Sequence, residues 1–178
     1  MWKTTHKVAA ILAAMSLAIV STFTVADEPT TELEVAMPEV KEMVYESERE
    51  LHCMAEVLYY EARGEGRAGQ LAVAQVVLNR VAHPLYPDSI CDVVYHKTKT
   101  RGGKVVCQFS WVCDRKAKPP NPDGTLWQRV MKNAYLMVNG QATPPITRSL
   151  NFHATHVQPA WAKYERREAV IGNHAFYR

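Results

Sequence analysis

The clearest pattern in the chain is a helical stripe that ends on an acid. Leu51, Met54, Val57 and Leu58 recur at three- and four-residue steps, and the same stripe continues to Glu61. Gly64 and Gly66 then break the helix, which places Glu61 near its carboxyl end. Gln70 to Val81 is apolar nearly all round, the mark of a buried second helix. Asn79 and Arg80 at its end are polar groups that must find partners. His83-Pro84-Leu85-Tyr86-Pro87 breaks the chain, and Asp88 or Ser89 can cap a short third helix with Ile90, Val93 and Val94 inward. Asp123 to Val138 reads as a fourth helix, with Leu126, Val130 and Met137 on one side and Gly140 past its end.

Elsewhere the period changes. Lys97 to Lys104 reads as a basic loop, Val105 to Val112 as a strand, and the proline-rich Lys116 to Asp123 as a loop. Leu150 to Ala154, Ala169 to Ile171 and Ala175 to Tyr177 read as short strands, with Gly172-Asn173 turning the last two into a hairpin. The class expected is α+β: a mostly helical single domain with a small antiparallel sheet toward the carboxyl end.

Composition divides the chain into three. Met1 to Ala26 has the form of a secretory signal: Lys3 and Lys7, an apolar run over Val8 to Val20, and Thr24-Val25-Ala26 before a cleavage point. Membrane attachment is expected only if that signal stays uncleaved. Residues 27–50 hold nine acidic residues against Lys41 and Arg49, the composition of a solvated linker with some helix around Val40 to Arg49. Residues 51–178 read as one domain, with 17 Lys and Arg against 9 Asp and Glu. A basic exported domain suits an anionic polymer such as the acidic peptides of cell wall, and nucleic acid is not expected outside the cytoplasm.

Four cysteines in an exported chain favour disulfides, and three pairings are open. Cys53 with Cys91 and Cys107 with Cys113 is preferred over the other two. His153, His156 and His174 could hold zinc, although no H-E-x-x-H occurs. No nucleophile elbow and no phosphate-binding glycine loop are present.

Glu61 carries the chemistry best. Apolar surroundings, the negative end of a helix dipole and a like charge at Glu65 would each raise its pKa, which suits a general acid. No second carboxylate stands out as a partner, so one Glu acting as acid and then base is the mechanism to test. Gln108-Phe109-Ser110-Trp111 combines rings and hydrogen-bonding groups suited to sugars.

Tyr60-Glu61-Ala62-Arg63-Gly64-Glu65, the helix from Gly69-Gln70 to Asn79-Arg80-Val81, and Gln108-Phe109-Ser110-Trp111 together resemble the cell wall hydrolase family of spore cortex-lytic enzymes (SleB-type). Asn151-Phe152-His153, Pro159-Ala160-Trp161 and Ile171-Gly172-Asn173-His174-Ala175-Phe176-Tyr177 extend the likeness from about Leu51 to the end. The resemblance implies a lysozyme-like fold, peptidoglycan as substrate, and cleavage between N-acetylmuramic acid and N-acetylglucosamine by lytic transglycosylation. It implies Glu61 as acid/base, no metal and no cofactor. Glu65, Gln108, Phe109, Trp111, His153 and Trp161 are the candidates for contact with the glycan. The signal, the linker and the cysteines fit a periplasmic or cell-wall location better than a spore coat. Two other readings compete: a zinc N-acetylmuramoyl-L-alanine amidase using the histidines, and a non-catalytic wall-binding module.

Overall fold

The computed structural model describes residues 37–178, with side chains described from Glu46 onward; the expected signal lies outside the described residues. Helix α1 spans Met37–Ala62, so helical structure begins well before Leu51. Pro38 falls in the first turn, where its missing N–H costs nothing. The following Glu-rich stretch is made of good helix formers, which its acidic composition concealed. Glu50 is part of the fold: its carboxylate accepts the backbone N–H groups of Ile90 and Cys91. There it caps helix α3 (Ile90–Val94), whose other cap is Ser89, accepting from Asp92 N–H at 3.1 Å.

Helices α2 (Arg67–Val81) and α4 (Thr125–Val138) complete the helical layer. Met54, Val57 and Leu58 of α1 are fully buried against Val73, Val76 and Val77 of α2, Val93 and Val94 of α3 and Val130 of α4. The apolar stripe read in the sequence is thus the core face of α1. The all-round apolarity of α2 has the same cause, since neighbours cover it on several sides. Cys53–Cys91 ties α1 to α3, and Cys107–Cys113 closes a short loop.

Two small antiparallel sheets follow. Strands β1 (Lys97–Lys99) and β2 (Val105–Cys107) form a hairpin across a turn in which Gly103 has φ +78°. This corrects the expected basic loop over Lys97 to Lys104. The expected strand over Val105 to Val112 is also shorter: after Cys107 the chain turns into a 3-10 helix, Ser110–Cys113. Both strands are largely exposed, so neither carries the alternating pattern that marks a half-buried strand. The second sheet has the order β3 (Asn151–Ala154), β5 (His174–Tyr177), β4 (Arg167–Ile171), all antiparallel. Gly172, at φ +57°, makes the turn from β4 to β5. Phe176, fully buried, plugs this sheet into the helical core.

No helix among the described residues is long and apolar enough to cross a membrane.

Candidate active site

The end of α1 fixes the site. Its last carbonyls need partners, and the buried amide of Gln70 supplies one, donating to Ala62 O at 3.2 Å. Gln70 is held in turn by Asn133 Nδ2, 2.6 Å from its Oε1, and Asn133 Oδ1 accepts from Arg67 Nη1 at 3.0 Å. This chain of amides locks the turn between α1 and α2. Gly69 lets that turn close: a Cβ there would lie 2.8 Å from Glu65 Cβ. The Gly69-Gln70 pair therefore has a mechanical role, setting where Glu61 points.

Glu61 points into a groove of about 380 Å³. Arg80, Gln108, Phe109, His153, Trp161 and His174 line it, together with Ser110 and the β3 residues Asn151, Phe152 and Ala154. Glu61 is the one carboxylate in that lining. Among the described residues no hydrogen bond ends on its carboxyl group, leaving it free to meet a ligand. Burial raises its pKa above the usual carboxylate range, and the Arg80 charge pulls it part of the way back. Glu65 is absent from these causes, so the like-charge effect expected from i+4 spacing does not operate; the helix stops at Ala62 before that geometry can form.

Arg80 is the counter-charge that spacing did not reveal. It lies in the last turn of α2 and is only 4% exposed. Its Nε donates to Leu150 O at 2.8 Å, and its guanidinium sits 5.4 Å from the Tyr86 ring centre and 5.5 Å from that of Phe109. Nη1 is buried without a partner. Burial lowers its pKa, while Tyr86 and Glu61 raise it. Next to it, Asn79 Nδ2 donates to Ser149 O at 2.9 Å. The two polar residues ending α2 thus anchor the segment leading into β3, and so set one wall of the groove.

The opposite wall is aromatic. His153 stacks on Tyr177 with ring centres 5.2 Å apart, and Trp161 meets both rings edge-on at 5.6 and 5.3 Å. His153 Nδ1 lies 2.9 Å from Ala154 O and Nε2 3.0 Å from Tyr177 Oη. A carbonyl can only accept, so Nδ1 carries the proton and Nε2 accepts from the tyrosine hydroxyl. His156 is exposed. Among the described residues no group of three His, Cys, Asp and Glu side chains converges to hold a metal ion.

Four of the six glycan candidates, Gln108, Phe109, His153 and Trp161, therefore share the groove with Glu61, and two do not. Trp111 stacks on Tyr60 with ring centres 4.2 Å apart and packs against the core, its indole N–H buried without a partner. The 3-10 helix explains this: Gln108 and Phe109 precede it, whereas Trp111 lies within it and is turned to another side.

Glu65 is 8% exposed and turned toward the β4–β5 hairpin. Its Oε2 accepts Asn173 N–H at 3.2 Å and its Oε1 accepts Asn173 Nδ2 at 3.0 Å. His174 Nδ1 lies 3.7 Å from Oε1, too far for a hydrogen bond. Burial lowers the His174 pKa more than Glu65 raises it, so the contact is with a neutral ring near neutral pH. A Cβ on Gly172 would run into Glu65 Oε2, so a side chain there would push the carboxylate away from Asn173, and the glycine's φ of +57° disfavours one in any case.

Comparison with known proteins places the chain in a family. The family model described as cell wall hydrolase matches residues 64–177. Spore cortex-lytic enzymes of Halalkalibacterium halodurans and Bacillus subtilis are 45% and 43% identical over 49 residues, 28% of this chain. That stretch is only 15% and 16% of their own lengths, so the likeness to these relatives is confined to a small part of each. Among solved structures, the catalytic domain of the Bacillus cereus SleB protein superposes with a TM-score of 0.54 at 26% identity, over 74% of this chain and 91% of that one. The catalytic domain of a germination-specific lytic transglycosylase, SleB of Bacillus anthracis, gives 0.53 at 27% identity, over 72% and 93%. A helical core with a small antiparallel sheet toward the carboxyl end is the α+β, lysozyme-like arrangement the sequence led us to expect, and with the family model spanning most of the domain, this chain belongs to the cell wall hydrolase family.

Proposed function

We propose that this chain is an exported peptidoglycan glycosidase of the periplasm or cell wall. It cuts glycan strands between N-acetylmuramic acid and N-acetylglucosamine as a lytic transglycosylase, with Glu61 as its one acid/base. The observation that carries this reading is a lone, desolvated carboxyl in a groove of sugar-binding character. Glycosidases that use two carboxyl groups need the second within several ångströms, and the lining of this groove offers none.

The chemistry follows from the surroundings. Burial raises the Glu61 pKa and so favours its protonated form, which can give its proton to the glycosidic oxygen as the bond from the muramic anomeric carbon breaks. The 6-hydroxyl of the same sugar then bonds to that carbon and closes a 1,6-anhydro ring. Glu61, now a carboxylate, takes the hydroxyl proton and is restored. Arg80 supports the charged intermediate stage: a fixed positive charge favours the carboxylate just when the proton has left. Trp161, Phe109 and His153 offer rings for pyranose faces, while Gln108 and Asn151 offer amides for hydroxyl and acetamido groups.

The test is the mass of the soluble products released from purified peptidoglycan by the full chain and by Glu61→Gln. Anhydro-muropeptides from the first and none from the second are expected. Reducing-end saccharides would make the enzyme a hydrolase that keeps Glu61. Free stem peptides would overturn the glycosidase reading.

A further inference from the structure

The groove has a neighbour. On the far side of His153 and Tyr177 lies a second basin of about 490 Å³, and His153 lines both. Strand register explains the arrangement. His153 and Val170 both pair with Ala175, and Arg167 pairs with Tyr177, so these residues share the sheet face opposite Phe152 and Phe176. A bulge at Glu168 keeps Arg167 in line with that face. The segment bearing the 3-10 helix Ala160–Lys163 forms the basin's other side.

Two properties give the basin a chemical preference. The first is charge. Lys163 and Arg167 both line it, and neither forms an ion pair among the described residues. The carboxylates beside them in sequence are committed elsewhere. Glu165 takes Asn151 Nδ2 at 3.1 and 3.0 Å, and Glu168 accepts Thr147 N–H at 2.9 Å and Ser149 Oγ–H at 2.7 Å. The second is an apolar lining of small scale. Ala162 and Ala175 contribute to it, and Val157 and Val170 remain 45% and 52% exposed. Two cations without carboxylate partners, Lys163 resting 4.7 Å from the centre of the exposed Tyr164 ring, lie over small apolar side chains and suit a short peptide that alternates methyl-sized residues with carboxylates.

We propose that this basin binds the acidic stem peptide carried by the muramic sugar being cleaved. The inference rests on the glycosidase reading of the adjoining groove. In that reading the muramic residue sits beside Glu61, and its lactyl-linked peptide has to leave the groove near the scissile bond. Passage over the His153 wall delivers its first, small residue to the alanine-lined floor and its carboxylates to Lys163 and Arg167. The wall is rigid, because His153 is fixed through both nitrogens and stacked on Tyr177.

The experiment is a titration of the isotope-labelled full chain with the free tripeptide L-alanyl-γ-D-glutamyl-meso-diaminopimelate, followed by amide chemical shifts. Saturable shifts are expected at Ala162, Lys163, Val170 and Ala175. Lys163→Glu with Arg167→Glu is expected to weaken binding by about tenfold, and the neutral pair Lys163→Gln with Arg167→Gln by less. The control reversal Lys97→Glu with Lys99→Glu, on the separate β1–β2 hairpin, should leave it unchanged. Absence of saturable shifts, shifts confined to other surfaces, or equal weakening by the control would overturn the proposal. Peptide-stripped glycan strands separate the two readings. If they are cut while the tripeptide fails to bind, the basin inference falls and the glycosidase stands. If the tripeptide binds but no strand is cut, the glycosidase reading falls and the basin's link to the muramic sugar falls with it.

Discussion

Glu61 and Glu65 lie four residues apart, on either side of the point where α1 ends, and the fold treats them in opposite ways. Glu61 stays on the last turn of the helix, partly buried, facing open space with no donor of its own and one buried cation nearby. Glu65 has left the helix. It receives two N–H donors from Asn173 and rests against a glycine that leaves room for its carboxylate. One carboxyl is under-solvated and available; the other is hydrogen-bonded through both oxygens and committed to holding the β4–β5 hairpin against the α1–α2 turn. In the proposed mechanism a motif containing two glutamates is divided between chemistry and assembly, and the division is made by a hairpin 108 residues downstream of Glu65.

The largest effect that should separate them is catalytic. Replacing Glu61 with Gln is expected to lower product release by about a thousandfold, within the usual range for a general acid. Its effect on stability should have the opposite sign. A carboxyl whose folded pKa is raised contributes stability below its unfolded value, and that contribution is lost as pH rises through the folded value. Glu61→Gln should therefore match the wild type in acid and exceed it at neutral pH, as denaturant unfolding at several pH values would reveal. A neutral-pH midpoint below that of the wild type would contradict the burial argument.

The clasp should break by packing rather than by chemistry. Gly172→Ala adds a left-handed backbone penalty and a collision with Glu65, together costing about 3 kcal/mol of unfolding free energy. In a Glu65→Ala background the collision disappears, and the cost of the same change should fall to about 1 kcal/mol. A strictly additive double-mutant cycle would show that the two residues do not press on each other. Glu65→Ala alone removes hydrogen bonds to a charged acceptor and should cost about 2 kcal/mol.

The smallest effect concerns Arg80. Because its charge lowers the Glu61 pKa, Arg80→Met should move the alkaline limb of the kcat/KM profile to higher pH, while Arg80→Lys should leave it near the wild-type position. Loss of activity with an unmoved limb would reduce Arg80 to a strut for Leu150.

Much of this was legible before the structure, for identifiable reasons. The stripe from Leu51 to Leu58 obeys helical spacing because one face of α1 is core, and that stripe together with the helix-breaking Gly64 and Gly66 brought Glu61 to the last turn. Gly172-Asn173 marked the hairpin because only a few residues tolerate its backbone. What the sequence hid depended on distant partners. Arg80 was visible as a polar residue needing company, but its company is Leu150, Tyr86, Phe109 and Glu61, drawn from separate elements. Trp111 was misplaced because a 3-10 turn, unlike a strand, sends neighbouring rings to different sides. Strand β1 was missed because an exposed basic strand carries no apolar period, whereas β2 opens the strand expected over Val105 to Val112. Asn151 and Phe152 belong to the groove lining, yet only the motifs of the resemblance pointed at them, while His174, weighed as a zinc ligand, lines the groove with no metal cluster around it among the described residues.

The most direct test of the division is the rate of muropeptide release by Glu61→Gln and Glu65→Gln side by side, each corrected for its folded fraction. The account predicts a loss of about three orders of magnitude for Glu61→Gln and no more than about tenfold for Glu65→Gln. Equal losses, or a greater loss at Glu65, would mean that the acid of this site has been assigned to the wrong carboxyl group.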